Sequence, residues 1–348
     1  MSGLFNKNQK VGLLQQALFA TPNDNSAAFR TQLVKPGSLP DAGIIIDTFN
    51  ETSAYGTAKE VGRTFVDSTT ALKSFGYEFT PVYTELYHYL NALLKCTTEG
   101  AAPGFKKLFL PMSDFTNGAS VNYGADEGNT YGIAQGNYND GASVGDGTIL
   151  SCAIIDELSF DIDFDANGIN HLLQASVKWV GNQMVADQYF DGDWVDPVST
   201  GRLSGFALNT LTVDGVSYSG VCPKKINIKF KNNVTAACTT TKANDYDTQF
   251  SMITTITLIA NETSIGAFGK YTNGFINGSP VNVAFNISNG TDTSLGVLSF
   301  KNTYGELMSS PFVTNGDKTE VNLVIEALRP AAGWSEVVTL ADGVDILV

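Results

Sequence analysis

The sequence predicts a mainly β fold with short flanking helices, and three observations carry that expectation. Apolar and polar residues alternate with period two in segment after segment, as a half-buried strand requires. Asn, Gly, Asp and Ser clusters separate these segments and supply turn chemistry. Charge is scarce: Asp, Glu, Lys and Arg make up 16% of the 348 residues, against roughly 25% in an average soluble domain. With 43% hydrophobic residues the chain is too apolar to be disordered. Its length favours two domains, each with its own core.

Taken in order, residues 1–40 read as a turn-rich arm, with Thr21-Pro22-Asn23-Asp24-Asn25 and Lys35-Pro36-Gly37 breaking any regular element. Short strands are expected over 43–47 and 71–80. A helix is expected over 84–95, where Leu86, Tyr89, Leu90, Leu93 and Leu94 recur at helical spacing and Thr84 is placed to cap the N-terminus. From 97 to 147 the composition turns to Gly, Asn, Asp and Ser, which reads as a long surface excursion. Residues 158–180 hold the sharpest pattern. Leu158, Phe160, Ile162 and Phe164 alternate with Ser159, Asp161, Asp163 and Asp165; Ile169, Leu173, Ala175, Val177 and Trp179 follow an Asn167-Gly168 turn. That is a hairpin signature.

The second half repeats this grammar. Ile226, Ile228 and Phe230 alternate with Lys225, Asn227, Lys229 and Lys231; strands follow over 249–260, 281–287, 297–300 and 321–328, with a short helix expected over 261–270. The order of elements in the two halves is similar, which points to a tandem organisation. The expected division is an arm over 1–40, a first domain over 41–200 with its long loop 97–147, a second domain over 201–330, and a tail over 331–348.

Composition and motifs narrow the chemistry. Thirty-five acidic against 21 basic side chains leave a formal net charge of −14, opposite in sign to a surface that grips phosphates. Cys96, Cys152, Cys222 and Cys238 are far apart, and His88 and His171 are the only histidines, a poor basis for a metal site. Asp163-Phe-Asp165-Ala-Asn167-Gly168 matches the start of a calcium loop, but Gln174 stands where its final Glu belongs and the flanks have strand period. Asp191-Gly192-Asp193-Trp194-Val195-Asp196 reads as a solvated acidic turn. No nucleophile motif, phosphate loop or dinucleotide fingerprint is present. The reading is therefore not an enzyme, with no catalytic, cofactor or metal residues. The N-terminus lacks a signal-peptide core and no run reaches membrane-spanning length, so a soluble protein assembled in a cytoplasm is expected.

Two charged stripes stand out: the acids Asp161 and Asp163, and the lysines Lys225, Lys229 and Lys231. Each can be a plain solvated face. Alternatively, the two signs meet across a subunit boundary and set its register.

The order of these features resembles the major tail tube protein of long-tailed bacteriophages. The resemblance is carried by the lead-in Glu51-Thr-Ser-Ala-Tyr55-Gly56-Thr-Ala-Lys-Glu60-Val-Gly62-Arg63, the strand and helix ending near 95, the hairpin closing in Val177-Lys178-Trp179-Val180-Gly181, and the strand Thr319-Glu320-Val321-Asn322-Leu323-Val324-Ile325-Glu326-Ala327-Leu328. It implies packed β-sheets with a flanking helix, two tandem β-sandwich or barrel-like domains, and neighbouring subunits joining their sheets into a barrel around a lumen. It further implies rings, trimeric with pseudo-sixfold symmetry for a duplicated chain, stacked into a tube in the virion. DNA would pass without specific binding, tape-measure and tail terminator proteins would be partners, and the chain itself would not enter a membrane. On this reading Asp161 and Asp163 face the lumen, and the arm, the 97–147 loop and the tail make contacts between rings. The alternative is a β-sandwich decoration module that binds a receptor or glycan at a virion surface.

Overall fold

A computed structural model describes residues 9–16, 28–35, 38, 43–44, 47–50, 64–67, 73–99, 105–111, 130–137, 147–164, 172–181, 183–188, 194–196, 203, 208–217, 223–239, 242–246, 250–259, 280–288, 297–308, 312–315, 318–331 and 333–342. The protein is mainly β, with antiparallel strands and one helix among these residues. Six strands form a central sheet in the order Lys73–Phe79, Gln174–Gly181, Gly147–Asp163, Pro223–Lys231, Ser251–Ile259 and Lys318–Ala327. Alternation decides which face is buried. Leu158, Phe160, Ile162, Ala175, Val177, Trp179, Ile226, Ile228, Phe230, Met252, Ile256, Leu258, Val321, Leu323 and Ile325 all point into the core.

The predicted hairpin is present, with Leu158 opposite Val177 and Phe160 opposite Ala175; its Asn167-Gly168 turn and His171 lie outside the described residues. The helix expected over 261–270 lies outside them too. Strand Pro223–Lys231 pairs directly with Gly147–Asp163, so the sheet runs without a break from the first half of the sequence into the second. The halves interlock again where Val338–Asp342 pairs with Phe105–Leu110.

Strand Gly147–Asp163 runs for 17 residues and bends in its first half. Residues 148–153 pair with Tyr131–Asn137 and 147–151 with Gln183–Gln188, whereas the later residues join the central sheet. The bend lies at Cys152, buried and held at φ +55, a left-handed conformation that costs a non-glycine residue roughly 1–2 kcal/mol. Gln16 holds it there: the Cys152 N–H donates to Gln16 Oε1 at 2.6 Å, and Gln16 is itself fully buried. Gly181 permits the close crossing, because a Cβ there would lie 2.7 Å from the Ser151 carbonyl oxygen.

Three expectations are corrected. The arm is not an appendage: Gln9–Gln15 pairs along its length with Tyr131–Asn137, burying Val11 and Leu13. Phe29 is also fully buried, against Trp194. The 97–147 stretch supplies core rather than only surface, since Leu108, Phe109, Tyr131, Ile133 and Ala134 are buried in strands. The tail includes the strand Val338–Asp342, with Val338 and Leu340 buried. Phe105–Leu110 and Tyr131–Asn137 lack clean alternation because residues on both strand faces are buried, so neither face needs to be polar.

The helix spans Tyr83–Leu93, and its N-cap is Val82 rather than Thr84, with no side-chain cap. Pro81 ends the preceding strand and Val82 stays extended, so Thr84 falls inside the first turn. Glu85 sits in that turn, where a carboxylate complements the helix dipole, and is met by Gln32 Nε2 and Arg30 Nη1 at 3.4 Å each. Tyr89 donates to Gln32 Oε1 at 2.7 Å and lies 3.0 Å from the Tyr77 hydroxyl, which accepts from Trp179 Nε1 at 3.2 Å. This chain of buried polar groups fastens residues 30–32 to the helix and the helix to the central sheet.

Gln16→Ala strands a buried N–H, and should lower unfolding free energy by about 1–3 kcal/mol in urea titration. Removing residues 1–35, which takes away the strand Gln9–Gln15 and the buried Gln16 and Phe29, should abolish the cooperative near-UV melt.

Candidate lumen face and assembly surface

Because side chains alternate, residues 157, 159, 161 and 163 share one face of their strand, and 225, 227, 229 and 231 share the same face of the next. The register sets Glu157 opposite Lys231, Ser159 opposite Lys229, Asp161 opposite Asn227 and Asp163 opposite Lys225. Lysines reach along the diagonal as well as straight across. Lys225 Nζ lies 2.9 Å from Asp161 Oδ2, Lys229 Nζ 3.0 Å from Glu157 Oε2, and Lys231 Nζ 3.6 Å from Glu157 Oε1. The two stripes therefore meet within one chain, at the seam between its halves. Their charges are accounted for without a second subunit.

The same face continues outward in polar residues. Lys178 stands opposite Glu157 and Gly76, with its Nζ 2.9 Å from Asp156 Oδ2, and Ser176 Oγ lies 2.8 Å from Ser159 Oγ. On the other side Thr255 and Thr257 stand opposite Val324 and Asn322. Thr257 Oγ1 donates to Asn322 Oδ1 at 3.3 Å, and Ser251 Oγ to Glu326 Oε1 at 3.2 Å. Asp161 and Asp163 thus sit in a broad polar face, but with lysines interleaved among them. The acidic stripe read from the sequence belongs to a surface of paired charge. Pairs this exposed contribute about 0.2–1 kcal/mol each.

Sequence reasoning missed Asp156, whose apolar neighbours hide it from any alternating pattern. It sits where the strand's register shifts between Ile155 and Glu157. Its Oδ1 accepts from the Val234 N–H at 2.9 Å and its backbone carbonyl from the Asn232 N–H at 2.8 Å. Asn232 Nδ2 donates in turn to the carbonyls of Leu93 and Ile155, at 2.8 and 3.2 Å. Helix end, central strand and the departing hairpin Val234–Thr239 with Lys242–Tyr246 are tied at this corner.

His88 lies 3.4 Å from the Tyr131 hydroxyl, which accepts from Asn91 Nδ2 at 3.2 Å. Burial, and then the charge of Arg30, lower its pKa to about 4, so near neutral pH it is an uncharged packing group. Burial pushes the Cys96 and Cys152 thiols up to about 11, which keeps them protonated and unreactive. Asp196, from the acidic turn, is exposed and 3.8 Å from Lys10. Asp165 to Gly168 and Cys222 lie outside the described residues.

No protein-family model matches the chain, and no curated protein does either. Its functional reading rests on the surface just described and on the resemblance of element order.

Two outcomes test this geometry. Because folding holds His88 neutral and depresses its pKa, its contribution to stability is present above pH 6.5 and is lost as pH falls towards 4. The difference in unfolding free energy between wild type and His88→Gln should shrink over that window. Glu157→Gln should cost less than about 1 kcal/mol, against about 3–5 for Phe230→Ala on the opposite face, both measured by urea denaturation.

Proposed function

We propose that this chain is a structural protein that assembles with copies of itself into stacked rings, forming a tube that carries a phage genome. The observation that supports this reading most is the unbroken central sheet shared by both halves of the chain. It has one apolar face packed into the subunit and one broad polar face. Sheets of this kind, joined side by side, make the wall of a barrel and remove exposed edges. The polar face is the lumen face in this reading, with Asp161 and Asp163 on it.

The paired charges suit a conduit. A lysine already held by a carboxylate in register is a poor partner for phosphate, and the acids beside it repel DNA. A polymer sliding past would meet a wetted surface without adhesive sites. Two halves in one sheet fit a trimeric ring with pseudo-sixfold symmetry. Tape-measure and terminator proteins would set length and ends, and the protein would reside in the virion tail. The function is structural rather than catalytic.

Negative-stain electron microscopy of the concentrated protein should show hollow tubes of stacked rings. Rotational averaging should give threefold symmetry, and a gel-shift assay with duplex DNA should show no retention. Monodisperse monomers at every concentration would overturn the proposal.

A further inference from the structure

Two features of the polar face have no explanation among the described residues. The first is Tyr304. Strand Val297–Leu307 flanks Lys318–Ala327 through Gly305 opposite Ala327 and Glu306 opposite Glu326, which sets Tyr304 beside Leu328 and Met308 beside Val324. Tyr304, Met308 and Leu328 are 43%, 50% and 36% exposed and form an apolar patch in an otherwise polar surface. The Tyr304 backbone is fixed, its carbonyl accepting from the Leu328 N–H at 2.8 Å, while its ring has no partner among the described residues. Within the patch Glu306 and Glu326 stand directly opposite each other, a like-charge pairing that destabilises a sheet.

The second feature is Gly76, exposed in the middle of strand Lys73–Phe79 on the same face, on the far side of the central sheet from Tyr304, whose own strand pairs onward with Val281–Ser288. Glycine inside a strand costs about 0.5–1 kcal/mol and commonly marks a close approach. Nothing among the described residues requires it. A Cβ there would meet only the Val177 carbonyl oxygen, at 3.4 Å. Directly across from it is Lys178, whose side chain is 47% exposed although its Nζ reaches Asp156.

We propose that Tyr304 of one copy seats over Gly76 of the next, with Glu306 meeting the neighbour's Lys178. This specifies a subunit contact for the self-assembly proposed above and rests on it. An aromatic ring laid on a bare strand glycine restores the packing that the missing side chain forfeits, and buried tyrosines often anchor interfaces. The charges select the occupant. A patch against its own copy would bring Glu306 and Glu326 to face the same two acids, so a twofold contact is excluded on charge. A head-to-tail contact places lysine against the acidic pair and repeats around a ring.

The test uses full-length protein and two substitutions. Gly76→Val fills the seat with a strand-favouring side chain, and Tyr304→Ser removes the ring from an exposed position. Both variants should melt as wild type does, and Thr255→Val serves as a control on the same face. Each variant alone should raise the concentration needed for assembly by at least about tenfold in sedimentation. A one-to-one mixture should form heterodimers, since Tyr304 of Gly76→Val still fits Gly76 of Tyr304→Ser, and the two remaining ends are both blocked. Assembly of either variant at the wild-type concentration, or a mixture that stays monomeric, overturns this contact while leaving self-assembly standing. A wild type that never assembles overturns both.

Discussion

Strand Gly147–Asp163 has to serve four neighbours, and that one requirement organises the molecule. Its first residues pair with Tyr131–Asn137 and Gln183–Gln188, its last with Gln174–Gly181 and Pro223–Lys231. A single strand can do this only by bending, and the bend is built from a strained Cys152, a buried Gln16 that receives its N–H, and a glycine at the crossing. Strain of this kind persists only where its surroundings over-determine it. Gln16 directly follows the N-terminal strand Gln9–Gln15, which explains why that segment belongs to the fold.

The apolar face of the seam holds the halves together and fixes which side of each strand turns inward. Leu158, Phe160, Ile162, Ile226, Ile228 and Phe230 are buried beneath it, each worth about 1.5–3 kcal/mol. The ion pairs above contribute far less, so the apolar face holds the halves together. Burial forbids a one-residue slip, because it would turn every lysine inward. It does not forbid a slip of two, which keeps the faces but moves Lys231 off Glu157. The ion pairs do not forbid it either, since Lys225 and Lys229 already reach Asp161 and Glu157 along the diagonal and one such slip sets both pairs directly opposite.

Where a strand has one wet face, the sequence announced it. Residues 158–164, 225–231, 249–260 and 281–287 were legible as strands, and alternation picked out the buried Leu158, Phe160, Ile162, Ile226, Ile228 and Phe230. The helix was legible too, displaced by one residue because Val82 takes the cap without a side-chain bond. The polar residues of the candidate face were visible as stripes. Their partners were not: nothing local to Lys225 or Lys229 says that Asp161 and Glu157 lie across from them.

The sequence by itself determined the β class, the turns that divide it and the apolar face of most strands, because period-two alternation and turn preference act within a few residues of chain. Tertiary structure decided what joins to what. It drew Gln9–Gln15 and Tyr131–Asn137 into the core, set 338–342 beside 105–109, and turned two charge stripes into one neutralised seam. It also set Tyr304 and Gly76 on one face, on opposite sides of the central sheet. These are bonds and burials between residues up to hundreds of positions apart, and their energy depends on a register that no local pattern encodes.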